Sequence, residues 1–144
     1  MTTQADTMVS TDDVGSGDRI RVVLVDDRRD RRAVMRQVFE HSGVDATVVA
    51  EADSGADAVA LVEQHDAQVA VVELAMPVAD GMAMVAELRR RLPDLTIVVM
   101  SFATDATIKT QALAEGADAY LVKPVSAREV IAAIPSPPPV DNAG

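Results

Sequence analysis

The sequence contains no cysteine and no tryptophan, and its only aromatic residues are Phe39, Phe102 and Tyr120. The absence of cysteine excludes disulfide bonds, thiolate metal sites and cysteine nucleophiles. Because 49% of the residues are nevertheless apolar, the core must consist of aliphatic side chains. Two histidines, His41 and His65, are too few for a histidine metal site, and we expect both on helix surfaces.

No apolar run approaches the roughly 18 residues that a membrane-spanning helix requires. The first residues also lack the basic and apolar regions of a secretory signal. We therefore expect a cytoplasmic protein without membrane contacts. The formal net charge of −10 argues against direct nucleic-acid binding, because the phosphates would be repelled. Nucleic acid is expected only through an output domain that this chain does not contain.

Composition divides the chain into three parts. Residues 1–18 are polar, aperiodic and rich in Gly, Ser, Thr and Asp, which predicts a disordered arm. Residues 19–134 have the regular apolar pattern of one folded domain. Residues 135–144, PSPPPVDNAG, cannot continue a helix because proline lacks the backbone donor, so they form a tail or a linker.

Short apolar runs rich in β-branched residues alternate with helical patterns through the central part. The runs are IRVVLV (20–25), ATVVA (46–50), VAVV (69–72), TIVVM (96–100) and AYLV (119–122). Runs that are apolar on both faces are typical of strands covered by helices on both sides. The alternation predicts an α/β fold, a flavodoxin-like (βα)5 doubly wound parallel sheet of five strands in the order 2-1-3-4-5.

Several polar residues have the position of helix N-caps. Asp30, Ser54, Asp80 and Asp105 each precede a helical pattern, and residues 126–129, Ser-Ala-Arg-Glu, have the form of a capping box. These residues predict where four of the helices and the short last helix begin.

Polar side chains stand at the ends of four predicted strands. They are Asp26 and Asp27 after the first strand, Glu73 at the end of the third, Ser101 at the end of the fourth and Lys123 at the end of the fifth. The carboxyl ends of parallel strands meet at one edge, where ligands bind at the switch point between strands 1 and 3. Clustered carboxylates favour Mg²⁺, and a hydroxyl and an ammonium beside them suit a phosphoryl group. The residues predict a site that handles phosphoryl groups.

Four motifs resemble, in this order, the receiver domain of two-component response regulators. They are VLVDD (23–27), ELAMPVADG (73–81), VVMS (98–101) and GADAYLVKP (116–124). The resemblance covers about residues 20–134. It implies a signalling protein in a phosphorelay, not an enzyme, with a sensor kinase or other signalling proteins as partners and a homodimer as one form.

The resemblance also assigns roles to the residues at the strand ends. Asp26, Asp27 and the carboxylate of Glu73 would bind Mg²⁺, while Ser101 and Lys123 would contact the acyl phosphate that forms at position 73. Whether this pocket binds Mg²⁺ or pairs Glu73 with Lys123 stays open at the level of sequence.

Three further expectations come from the resemblance. Tyr120 would be the switch residue that moves inward on activation. The bond between Lys123 and Pro124 would be cis. Partners would bind the face made by the fourth helix, the fifth strand and the fifth helix.

Position 73 departs from the family, which has an aspartate where this chain has Glu73. Met76-Pro77 and Asp80-Gly81 fix the alignment, so no neighbouring aspartate can take its place. The extra methylene moves the carboxylate about 1.5 Å toward Ser101 and Lys123. The departure from the family therefore changes how far the carboxylate at position 73 extends into the pocket.

Three hypotheses explain Glu73. In the first, Glu73 stands in permanently for an aspartyl phosphate. In the second, Glu73 or another pocket residue such as Asp27 or Ser101 is phosphorylated in the conventional way. In the third, the domain is only a protein-interaction module. The first and third predict an atypical receiver that is independent of phosphorylation at Glu73. A flavodoxin-like cofactor-binding protein or enzyme is the alternative of another class, and it is disfavoured because no phosphate-binding loop follows the first strand.

Arginines form two clusters. The first contains Arg28, Arg29, Arg31, Arg32 and Arg36 at the start of the first helix, and the second covers residues 89–91. The first cluster has three alternative interpretations: it is a solvated helix face, it is a docking surface, or Arg28 supplies a counter-charge to the acidic pocket. The second is predicted to be a favourable charge run at a helix C-terminus.

Overall fold

A computed structural model describes residues 19–75 and 77–135. The predicted arm, 1–18, and residues 136–144 of the Pro-rich segment lie outside the described residues. The strands are β1 (Ile20–Val25), β2 (Ala46–Ala52), β3 (Val69–Glu73), β4 (Thr96–Ser101) and β5 (Ala119–Val122). They form one parallel sheet in the order β2-β1-β3-β4-β5, which confirms the predicted flavodoxin-like fold.

Helices connect the strands. They are α1 (Arg29–Glu40), α2 (Gly55–His65), α3 (Val78–Arg91), α4 (Ala106–Glu115) and α5 (Ala127–Ala133). Ser54, Asp105 and Ser126 are N-caps as predicted, and Ser126 forms the capping box. The predictions for Asp30 and Asp80 are wrong, because α1 and α3 begin earlier and both carboxylates lie within the first turn. A carboxylate in the first turn still interacts favourably with the positive end of the helix dipole.

Each face of the sheet has its own core of mostly aliphatic side chains. Alternate residues of β1 point to opposite faces, so Val23 and Val25 pack with α2, α3 and α4, while Val22 and Leu24 pack with α1 and α5. All five residues of β3 are buried. The last of them is Glu73, so this carboxylate lies at the point where the chain leaves the core. No helix in the described ranges is both long enough and apolar enough to cross a membrane.

Arg89 ties the end of α3 to the turn before β5. Its guanidinium donates to the carbonyls of Pro93, Leu95 and Gly116 at 2.8, 2.9 and 3.0 Å and to the carboxylate of Asp118 at 2.8 Å. A Cβ on Gly116 would lie 2.5 Å from the Cβ of Arg89, so only glycine permits this approach. The sequence predicts a helix-end charge here but not these bonds.

Candidate functional site

The carboxyl ends of the central strands bring the predicted pocket residues together. Asp26 follows β1, Glu73 ends β3 beside Met100 of β4, and Ser101 ends β4. Asp26, Glu73 and Ser101 are 5%, 7% and 2% exposed and are the buried polar or charged residues of the part that the structure describes. Burial of polar groups is costly unless they are paired, so their partners define the site.

Glu73 is paired with Lys123. The ammonium Nζ of Lys123 lies 2.7 Å from Oε1 of Glu73, and the two side chains are 15% and 5% exposed. Lys123 Nζ also lies 4.8 Å from the centre of the Phe102 ring. Its backbone N–H donates to the carbonyl of Ser101 at 2.7 Å. The lysine therefore contacts the acid at position 73 directly.

Burial raises the pKa of the Glu73 carboxyl above its ordinary value of 4.5. The hydrogen bond and the charge of Lys123 act in the opposite direction but do not cancel the effect of burial on this pKa. The carboxylate therefore depends on Lys123 for part of its stability in the charged form.

Asp26 is paired with Arg31. Nε and Nη2 of Arg31 donate to Oδ2 and Oδ1 of Asp26 at 2.8 and 2.7 Å, and the backbone N–H of Arg28 donates to Oδ1 at 2.9 Å. Nη2 of Arg31 also lies 3.2 Å from Oδ1 of Asp27. One guanidinium thus bridges both acids that follow β1.

The counter-charge in the acidic pocket is Arg31 and not Arg28. Arg28 pairs with Asp30 at the surface, where the two side chains are 58% and 67% exposed. Because α1 begins at Arg29, Arg28 precedes the helix and residue 31 lies in its first turn, within reach of Asp26. The suggestion from sequence that Arg28 neutralises the pocket is wrong.

Two more arginines of the first cluster are used inside the fold. Nε of Arg32 and Nε of Arg36 donate to the two carboxylate oxygens of Glu51 at 3.0 and 2.6 Å. Burial alone would raise the pKa of Glu51, but the two guanidinium groups lower it below its ordinary value. These side chains stabilise the end of β2 rather than offering free positive charge.

Ser101 and Tyr120 meet at the loop after β4. The hydroxyl of Ser101 accepts from the N–H of Ala103 at 3.0 Å, and the hydroxyl of Tyr120 donates to the carbonyl of Ala103 at 2.8 Å. Tyr120 is 9% exposed. Both side chains therefore hold one loop residue, and Tyr120 lies in a buried position.

The predicted ligands do not fit a divalent ion in this arrangement. Within residues 19–75 and 77–135, no group of three acidic or histidine side chains is placed to hold a metal. Asp26 and Asp27 face Arg31, and Glu73 faces Lys123. Since Mg²⁺ binds carboxylate oxygens, Arg31 and Lys123 would compete with the ion for oxygens of these acids.

The bond between Lys123 and Pro124 is cis, as predicted. A second prediction from the resemblance, the inward movement of Tyr120, concerns a change between states and stays a prediction.

Comparison with known proteins agrees with the fold. The family model of the response regulator receiver domain matches residues 22–135. A protein-glutamate methylesterase/protein-glutamine glutaminase 1 of Rhodospirillum rubrum is 34% identical over 116 residues, which cover 79% of this chain and 30% of that relative. The chain thus spans less than a third of its length, and the methylesterase activity is not carried over.

Two solved structures are similar over most of the chain. The signal receiver domain of the response regulator NarL from Mycobacterium tuberculosis has a TM-score of 0.67 and 32% identity, covering 80% of this chain and 92% of that one. CheY in a CheX-CheY-BeF3-Mg²⁺ complex from Borrelia burgdorferi has a TM-score of 0.65 and 21% identity, covering 79% and 85%. The second likeness concerns the fold alone.

Proposed function

Because the chain belongs to the response regulator receiver domain family of two-component signalling, we propose that it is an atypical receiver that works without phosphoryl transfer to residue 73. It is a switch or protein-interaction module in the cytoplasm and not an enzyme. The observation that carries this proposal is the 2.7 Å contact between Glu73 and Lys123, two largely buried groups. The lysine that would hold a phosphate holds the side chain of the acceptor position instead.

The length of the glutamate side chain explains why this pair can form. An aspartate at position 73 would be shorter by one C–C bond, about 1.5 Å. On the same backbone its oxygen would lie farther from Lys123, which contacts Oε1 of Glu73 at 2.7 Å. As a mimic of aspartyl phosphate, Glu73 is partial, since it offers one negative charge in place of roughly two. It is nevertheless sufficient to bind the lysine.

The buried Tyr120 supports a fixed state of the domain. The backbone N–H of Lys123 donates to the carbonyl of Ser101, the Ser101 hydroxyl accepts from the N–H of Ala103, and the Tyr120 hydroxyl donates to the carbonyl of Ala103. This set of contacts links the backbone of Lys123, whose ammonium binds Glu73, to the side chain of Tyr120. We propose that this set keeps Tyr120 in the inward position that the family resemblance associates with activation.

The face made by α4, β5 and α5 is the proposed site for signalling partners or a second copy of the chain. β5 is an edge strand. Leu113 of α4 and Val122 of β5 are 39% and 45% exposed, which is unusual for large apolar side chains in this protein. With Tyr120 held inward from β5, the shape of this face would not depend on a phosphoryl group.

Incubation of the chain with acetyl phosphate and Mg²⁺ should add no phosphoryl group, as measured by intact mass. The reason is that Glu73 is paired and its carboxylate is displaced by a bond length, and misplacement of about 1 Å can cost about 100-fold in rate. A family member with aspartate at this position, treated in parallel, shows that the donor is active. A phosphorylated parent chain would contradict the proposal, and fragment masses would then identify the modified residue.

Acrylamide quenching of tyrosine fluorescence should increase when Glu73 is replaced by alanine. Tyr120 is the single tyrosine and the chain has no tryptophan, so the signal reports this side chain alone. Glu73→Asp should behave like Glu73→Ala because it keeps the charge but loses the reach. Glu63→Ala, an exposed acid of α2, is the control. If quenching is the same in all four proteins, the ion pair does not hold Tyr120.

A further inference from the structure

We propose that Arg31 is a built-in counter-cation that takes the place of Mg²⁺ between Asp26 and Asp27, so that the pocket is complete without a metal. This inference extends the proposed function from the acceptor position to the cation. The phosphoryl chemistry of Glu73 and the cation requirement of Asp26 and Asp27 are tested by different measurements.

The contacts of Arg31 are those of a group fixed in the pocket. Its guanidinium binds both oxygens of Asp26, which is 5% exposed, and reaches Asp27 with the same Nη2. Two parallel N–H···O bonds to one carboxylate are a strong and directional arrangement. The Arg31 side chain is 30% exposed, against 58% for Arg28 in the surface pair. Arg31 therefore lines the site and is not one of the solvated arginines of the first cluster.

Cations of the chain offset most of the negative charge of the pocket, leaving a formal charge of −1. Three carboxylates, those of Asp26, Asp27 and Glu73, face two cations of the chain, Arg31 and Lys123. Without Arg31 the three acids would face Lys123 alone, and neighbouring carboxylates that repel one another bind an added cation. Oxygen ligands without nitrogen or sulfur favour Mg²⁺ in that situation. Arg31 thus competes with the metal for the same oxygens.

Titration of the full chain with MgCl₂, followed by ¹H–¹⁵N NMR, tests the proposal. We compare the parent chain, Arg31→Ala and Arg29→Ala. Arg29 is the matched control, because it is exposed and forms no ion pair with any described residue, and its loss changes the net charge equally. Parallel titrations with NaCl at equal ionic strength remove the effect of screening.

The parent and Arg29→Ala should not approach saturation over the MgCl₂ range that saturates Arg31→Ala, as judged by the amide signals of Asp26, Asp27 and Glu73. Arg31→Ala should bind Mg²⁺ at least about tenfold more tightly than Arg29→Ala, since a unit charge beside the ion opposes binding strongly at short range. Asp26→Asn combined with Arg31→Ala should lose this gain. Equal affinity in Arg31→Ala and Arg29→Ala would overturn the proposal.

The parent chain alone gives a second test that does not depend on the folding of a variant. A metal that binds the native state raises Tm by mass action. MgCl₂ should therefore raise the Tm of the parent no more than NaCl of equal ionic strength does. A specific rise would overturn the role of Arg31. If MgCl₂ raises the Tm specifically and the same parent gains no mass from acetyl phosphate, the inference on Arg31 fails while the proposed function of Glu73 stands.

Discussion

Replacing Lys123 with methionine should lower the free energy of unfolding by about 3 kcal/mol at neutral pH, because breaking a buried ion pair leaves an uncompensated charge. Glu73 is 5% exposed in its side chain, so little water can replace the ammonium. Methionine keeps an unbranched apolar stem beside Phe102, which limits the loss of packing. The expected loss therefore comes mainly from the carboxylate of Glu73.

The loss should depend on pH with a definite sign. Burial already raises the pKa of Glu73 above 4.5, and removal of Lys123 takes away the largest opposing cause. A folded-state pKa above the unfolded value means that the linked stability is fully present below about 4.5 and is lost as the pH rises through the folded-state pKa. The cost of Lys123→Met should thus be largest at neutral pH and should shrink as the pH falls toward 4.5.

Urea unfolding followed by circular dichroism, from neutral pH to about pH 5, measures this difference. Lys109→Met is the matched control, because Lys109 is the other lysine of the chain and is exposed on α4. The double variant Glu73→Gln/Lys123→Met should recover most of the stability at neutral pH, since no buried charge is left unpaired. An equal loss in Lys109→Met, or a loss that grows on acidification, would show that the pair is not what stabilises the pocket.

The pairing of Glu73 with Lys123 follows from topology that the sequence does predict. The two residues are 50 positions apart, yet each directly ends or follows a strand of the same parallel sheet. The apolar runs fix where strands end, and the strand order fixes which ends are neighbours. Asp26 and Ser101 lie in the pocket for the same reason. Side chains next to strand ends are thus the part of the site that a sequence predicts well.

The choice of Arg31 among five nearby arginines was beyond the sequence. Which arginine faces Asp26 depends on the residue at which α1 begins, and the expected N-cap at Asp30 places that start too late. A shift of one or two residues turns a side chain by 100° or more around a helix with 3.6 residues per turn. The sequence shows that positively charged residues lie near the acids. To predict that Arg31 is the one that binds Asp26, the residue at which α1 begins must be known.

Bonds to backbone carbonyls are a second class that the sequence does not reveal. Tyr120 has a role assigned by resemblance, but its bond to the carbonyl of Ala103 has no signal in the residue type, since every residue carries a carbonyl. Arg89 is the larger case. The prediction of a helix-end charge gives it a minor electrostatic role, while its bond to the carbonyl of Gly116 joins distant parts of the chain.

Arg89→Ala should lower the free energy of unfolding by about 3 kcal/mol, because hydrogen bonds to a charged group contribute about 1.5–3 kcal/mol each and partial exposure lets water replace some of them. Arg90→Ala, the exposed neighbour, should change it by less than about 0.5 kcal/mol. Arg89→Lys should not restore the parent stability, since an ammonium lacks the planar fork that binds several acceptors at once. Urea unfolding measures all three variants.

Equal stability of Arg89→Ala and Arg90→Ala would show that water satisfies these acceptors equally well. The expected difference also bears on the site. Asp118, which Arg89 holds, accepts from the N–H of Ile97 at 2.8 Å and so aligns the start of β5 with β4. Tyr120 lies two residues later on β5, and Lys123 directly follows the strand. Loss of Arg89 should therefore also increase acrylamide quenching of Tyr120. The reason is that Arg89 holds Asp118, which aligns β5 with β4 and so positions Tyr120 and Lys123 at the pocket.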